Sequence, residues 1–281
     1  MKINTRPIVI GVIDKQPTAL RFALREAKRT GRALRVVHSA GVPAGAATLY
    51  GGVEMFEDLR DAGQVTIDAA PHFIEQEAPD IQVDYVLTMV SPAETLKLEA
   101  DQASLLVLGS DTHAWPDRLL GGTVSSDLAL HAACPVVVVP ERAYPTPLSG
   151  GVVVAVDGET SADGPLQFAF EQADAEGAVL HVLHARQPAE TIEDTQSIRT
   201  NVAELLAGWS GEFPDVRLVV DFPLDHANEA CVRATEHSEL VVIGRSHSHA
   251  LPFALARPLA AEVLRHAHCP VAVVPANYPK S

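Results

Sequence analysis

Cysteine is scarce: Cys134, Cys231 and Cys269 are the only three in 281 residues. None stands in a CxxC pair, so a disulfide framework and a cysteine-based metal site are both excluded, and the three read as buried thiols. Long apolar runs are missing as well. Stretches such as Pro135–Pro140 have the length of a strand, well short of the roughly 20 residues that cross a bilayer as a helix. Positive charge is in deficit, with 21 Lys and Arg against 36 Asp and Glu and a formal net charge of −15. A field of that sign repels DNA, RNA and anionic lipid. The opening "MKINTRPIVIGVID" carries neither the apolar segment nor the cleavage site of a secretory signal, so the expected location is the cytoplasm. Catalytic motifs are lacking too. Ser125 has no GxSxG elbow around it, no SGGxDS-like loop follows the first strand, and His226, His237, His247 and His249 show no metal-ligand spacing.

The chain does hold a hydrophobic fraction of 47%, enough to bury two cores of ordinary size, and an internal repeat. "HAACPVVVVP" (131–140) returns as "HAHCPVAVVP" (266–275), and "SLLVLGS" (104–110) returns as "ELVVIGR" (239–245), both at an offset of 135. Nearer the start, "ALRVVHSA" (33–40) matches "VLHVLHAR" (179–186) at an offset of 146. The second copy is therefore shorter by 11 residues, around the Gly- and Ala-rich "GVPAGAATLYGG" of the first. Two copies of one domain are fused, with boundaries at 1–142 and 150–277 and a Pro- and Gly-bearing linker at 143–149.

Each copy alternates apolar strands with amphipathic helices. "IVIGVI" (8–13) precedes Leu20, Ala23, Leu24 and Ala27 at helical spacing, and "VVVAV" (152–156) precedes Leu166, Ala169, Phe170 and Ala173. Further strands are expected at "LRVVH", "IQVDYVL", "LLVLG" and "VVVV", with counterparts in the second copy. Ser91, Pro92 and Glu94 read as a capping box with proline at the first helical position, and Asp225 reads as the cap of the matching helix. His131, His266 and His268 sit at helix ends, where a histidine favours the C-terminal dipole. Near-continuous apolar strands between helices call for a parallel sheet covered on both faces. Ligands bind such sheets at the carboxyl ends of the strands.

The order strand, Asp-Gly, "LLVLGS", glycine-bearing loop and a helix ending "HAxCP" before a valine strand resembles the universal stress protein family, twice over. The resemblance implies two tandem flavodoxin-like (adenine-nucleotide-hydrolase-like) α/β domains with parallel sheets, forming a pseudo-dimer in which "VVVVP" and "VAVVP" lie side by side. Some members of the family bind ATP through Gly-x2-Gly-x9-Gly-Ser/Thr after the fourth strand and an aspartate at the end of the first. Here Gly109 matches the first glycine, Thr112 replaces the second, and Gly122-Thr123 matches the end. On that resemblance the phosphates lie over Gly109, Gly122, Thr123, Val124 and Ser125, adenine lies against Val37, His38, Ser39 and Leu108, and Asp14 contacts the ribose.

Two departures weaken this loop. A β-branched Thr112 held at φ > 0 costs roughly 1–2 kcal/mol, and Asp111 about 4 Å from a phosphate costs roughly 1–4 kcal/mol. The turn after Asp14 is also short, with Phe22 8 residues on where Phe168 lies 11 residues beyond Asp157. In the second copy Asp157-Gly158 is intact, but His247 and Arg257-Pro258 stand in the loop, and Pro258 removes an N–H that a phosphate would use. The function implied is a stress-response regulator with a weakened ATP site in the first domain and at most slow ATP hydrolysis. The alternative is a stress-response interaction protein that binds no nucleotide and acts on an unknown protein partner. The loop found in one copy only gives the chain unlike faces, one of which could carry a homodimer contact.

Overall fold

The structure, a computed structural model, describes residues 6–13, 16–42, 53–110, 124–141, 150–157, 162–186, 192–245 and 259–279. The chain divides into two compact units, Met1–Ala143 and Tyr144–Ser281. The expected linker at 143–149 lies outside the described residues.

In the first unit five strands, β1 (Ile8–Gly11), β2 (Leu34–Ser39), β3 (Val83–Thr88), β4 (Leu105–Gly109) and β5 (Val136–Val139), run parallel in the order β3-β2-β1-β4-β5. Register is set by aliphatic pairs such as Ile10 with Val36 on one side and Val107 on the other. The helices are α1 (Pro17–Thr30), α2 (Val53–Glu77), α3 (Pro92–Gln102) and α4 (Val124–His131). Parallel neighbours need right-handed crossovers, and the strand order reverses direction after β3. Accordingly α1 packs with α2 on one face and α3 with α4 on the other. This double cover is why β1, β4 and β5 are buried along their whole length.

The second unit repeats the plan. Strands β6 (Val152–Ala155), β7 (Leu180–Leu183), β8 (Leu218–Asp221), β9 (Leu240–Gly244) and β10 (Val271–Val274) run parallel in the order β8-β7-β6-β9-β10. Helices α5 (Asp163–Glu176), α6 (Ile192–Glu212), α7 (Ala227–Ala234) and α8 (Leu259–His266) complete it. The apolar stripes expected on α1 and α5 are the buried ones, Leu20, Ala23, Leu24 and Ala27 in one, Leu166, Ala169, Phe170 and Ala173 in the other. Both helices end alike. Gly31 (φ 62°) and Gly177 (φ 60°) are left-handed, and the next N–H groups, of Arg32 and Ala178, bond back to Ala27 O and Ala173 O at 3.1 and 2.9 Å. That is a Schellman ending, which glycine adopts without the Cβ penalty.

Two expected caps differ. Ser91 is the N-cap of α3 and its carbonyl accepts from Thr95 N–H at 2.9 Å, but its side chain makes no capping bond, so the capping box is not formed. The N-cap of α7 is His226, not Asp225. Asp225 stands one residue earlier and accepts from His226 N–H at 2.8 Å and from the Arg233 guanidinium. All three thiols are buried, as expected. Burial pushes Cys231 and Cys269 up to about 12.

Candidate functional site

The strand order of the first unit turns at β1 and β4, which are neighbours although β1 leads to β2. Such a sheet takes ligands beyond the carboxyl ends of its strands, and Gly11, Ser39 and Gly109 are the last residues of β1, β2 and β4. Past β1, Val12 N–H continues the ladder to Val37 O at 2.9 Å. Val12 O in turn accepts from His38 Nδ1–H at 2.7 Å. A carbonyl oxygen only accepts, so Nδ1 is the donor of this bond. Ser39 donates its hydroxyl to Val90 O at 2.5 Å, tying β2 to the turn after β3.

Of the adenine contacts expected from sequence, Val37 and Leu108 are buried core residues, whereas His38 and Ser39 are partly exposed at the strand end. Val124 opens α4 and is half-buried, and Ser125 is buried beside it. Gly109 ends β4, and the following Ser110 N–H bonds to Val139 O at 2.8 Å. Asp14, Asp111, Thr112, Gly122 and Thr123 lie outside the described residues, as do Gly158, His247, Arg257 and Pro258 of the second unit.

Gln16, which the sequence reading passed over, is brought to the same place. It is the N-cap of α1, yet its side chain makes no cap bond. Instead the carboxamide lies against Gly109. A side chain placed on Gly109 would put its Cβ 2.5 Å from Gln16 Nε2 and 2.7 Å from Cδ. Gln16 is 8% exposed, and its Oε1 is buried without a hydrogen-bond partner. A buried amide oxygen left without a donor costs about 1–3 kcal/mol. The signal available in sequence was the repeat itself: at an offset of 146 the second unit has Ala162, also an N-cap.

The second unit repeats the histidine. His184 is 6% exposed, and its Nδ1–H donates to Val156 O at 3.0 Å, as His38 does to Val12. Its surroundings diverge. The His184 ring lies 6.0 Å from Phe222, and Arg199 stacks its guanidinium 5.3 Å over that ring. Arg186 donates from Nε to Phe222 O at 3.2 Å. Gly244, the counterpart of Gly109, is faced by Pro165 Cγ, 3.1 Å from where a Cβ would sit. Among the described residues no group of three or more His, Cys, Asp or Glu is arranged to hold a metal ion. None of the described helices is long and apolar enough to cross a membrane.

The fold defines a tandem flavodoxin-like α/β protein, with a switch point in the strand order of each unit. The profile of the Universal stress protein family matches residues 4–140 and again 151–275. A universal stress protein of Mycobacterium tuberculosis (strain ATCC 25618 / H37Rv) is 31% identical over 256 residues, covering 84% of this chain and 85% of the relative. One of Mycobacterium bovis is 30% identical over 203 residues, 69% of each chain. The crystal structure of a universal stress protein from Archaeoglobus fulgidus has the same fold, with a TM-score of 0.73 over 96% of each chain at 16% identity. The chain belongs to the universal stress protein family.

Proposed function

We propose that this protein is a cytoplasmic stress-response regulator that holds ATP weakly in its first unit, the second unit being silent. The observation that carries this reading is the position of Gly109. It stands at the carboxyl end of β4, beside the switch point, and Gly122-Thr123 follows at the spacing of a phosphate loop just before α4 begins at Val124. Backbone N–H groups at such a helix start suit an anion. In the second unit Arg257-Pro258 stands at the matching place, with one donor fewer. No catalytic group is assigned, and turnover of bound ATP is slow at most.

Calorimetric titration with ATP tests the reading. Thr112→Gly is expected to tighten binding about tenfold, the equivalent of about 1.4 kcal/mol of relieved strain. Asp111→Arg tightens it further by turning repulsion into attraction. Gly122→Val removes binding, and Arg257→Ala leaves it unchanged. Binding by Gly122→Val equal to the parent, or none by parent and Thr112→Gly at millimolar ATP, would overturn it.

A second reading is favoured by one observation: Gln16 already covers Gly109. On that reading Gly109 is glycine to admit the amide, and the protein acts through its surface on a protein partner without nucleotide.

A further inference from the structure

We infer that Gln16 gates the site of the first unit: its carboxamide lies against Gly109, where a side chain would sit, and must leave before a phosphate can approach there. The inference rests on the nucleotide reading above. Three observations carry it. The amide fills the space that the missing side chain of Gly109 opens, within 2.5 Å of a Cβ position. It does so from a residue that is 8% exposed, so it is packed into place and does not merely drift over the strand ends. And Oε1 has no donor there, so the covered state is held by packing against an unmet polar demand, and a swing toward water satisfies the amide. Such a group is displaced at modest cost.

The repeat supplies the comparison. The second unit has the same N-cap position, the same strand-end glycine and the same histidine tied to the first strand, but Ala162 and Pro165 Cγ where the first has the amide. The amide is therefore not required by the fold. It belongs to the one unit whose loop retains Gly122-Thr123. A site whose open form makes up about one part in ten of the population binds about tenfold more weakly than its contacts allow, and removing the gate returns that factor.

The test uses the full chain with Gln16→Ala, Gly109→Ala and the double variant. Without ligand, thermal melts of the four proteins read the covered state. Gly109→Ala is expected to lower the melting temperature, and Gln16→Ala on the same chain to recover most of the loss, because the Cβ then meets no amide. Additive effects would overturn the covered state. With ATP as the probe, Gln16→Ala is expected to bind about tenfold more tightly than the parent. If ATP binds and Gln16→Ala leaves the affinity unchanged or weakens it, the gate falls and the nucleotide reading stands. If neither binds ATP at millimolar concentration although the melts show coupling, the nucleotide reading falls and takes the gate with it.

Discussion

At the scale of single residues, one glycine pair across the repeat and two buried thiols of the second unit give controlled experiments. Gly31 and Gly177 hold the same left-handed φ, and neither has an atom within 4 Å of a would-be Cβ. Replacing either by alanine costs backbone strain alone, about 1 kcal/mol each, and chemical denaturation should show two similar losses. The thiols make a second case. Burial raises Cys231 and Cys269 from 9.0 to about 12, so the native protein holds them as unreactive thiols. At pH 8 Ellman's reagent should label neither until denaturant is added. Their raised values stabilise the fold fully below pH 9, and that contribution drains away as pH climbs from 9 toward 12. Denaturation midpoints across that range should fall. Gln16 is the residue that sequence did not disclose. Its partner Gly109 is brought to it by a fold in which β1 and β4 are neighbours, and no local periodicity carries that information.

Elements were more legible. Valine-rich runs bounded by Pro and Gly can only be strands covered on both faces, and the 3.6-residue stripes of α1 and α5 are the surfaces that are buried. Helix starts were read less well for a physical reason. The Ser91-x-x-Glu94 spacing brings the groups near one another but does not choose the serine rotamer that would make the bond. Asp225 came one residue too early, since the extended φ and ψ of a cap belong to His226 (−71°, 140°). Its carboxylate nonetheless matters to α7. Burial pushes its pKa up, but hydrogen bonds from His226 N–H and with Glu229, together with the Arg233 guanidinium, outweigh this and hold it below its ordinary 3.8. Stability from this group is present above pH 3.8 and is lost as pH falls through the lowered value. Asp225→Asn should therefore melt lower than the parent at neutral pH, with the gap closing in acid. The loop proposed to hold nucleotide was the least legible part, because binding there would depend on backbone angles at Thr112 and on the reach of Asp111, neither of which composition or spacing fixes.

At the scale of the whole chain, the five strands described within each unit have at one end a strand of small aliphatic residues, Val136–Val139 in one and Val271–Val274 in the other. A strand edge offers unpaired backbone N–H and C=O groups that can pair with another chain. Met1–Ala143 and Tyr144–Ser281 produced separately are expected to self-associate or aggregate, and light scattering showing two stable monomers would count against this.

The parallel pairing within each unit also sets an order of events in time. Ile8 pairs with Leu105 and Val9 with Leu106, so the central strand of the first sheet cannot be completed on one side until nearly a hundred residues more have been synthesised. Only then can Val136–Val139 add to Leu106–Gly109. Among the described strands of the first unit no hairpin offers an early local foothold. A chain leaving the ribosome at about 5–20 residues per second would carry β1 half-paired for several seconds. Contacts so distant in sequence make for slow folding, and the first half has time to finish while the second is still being made.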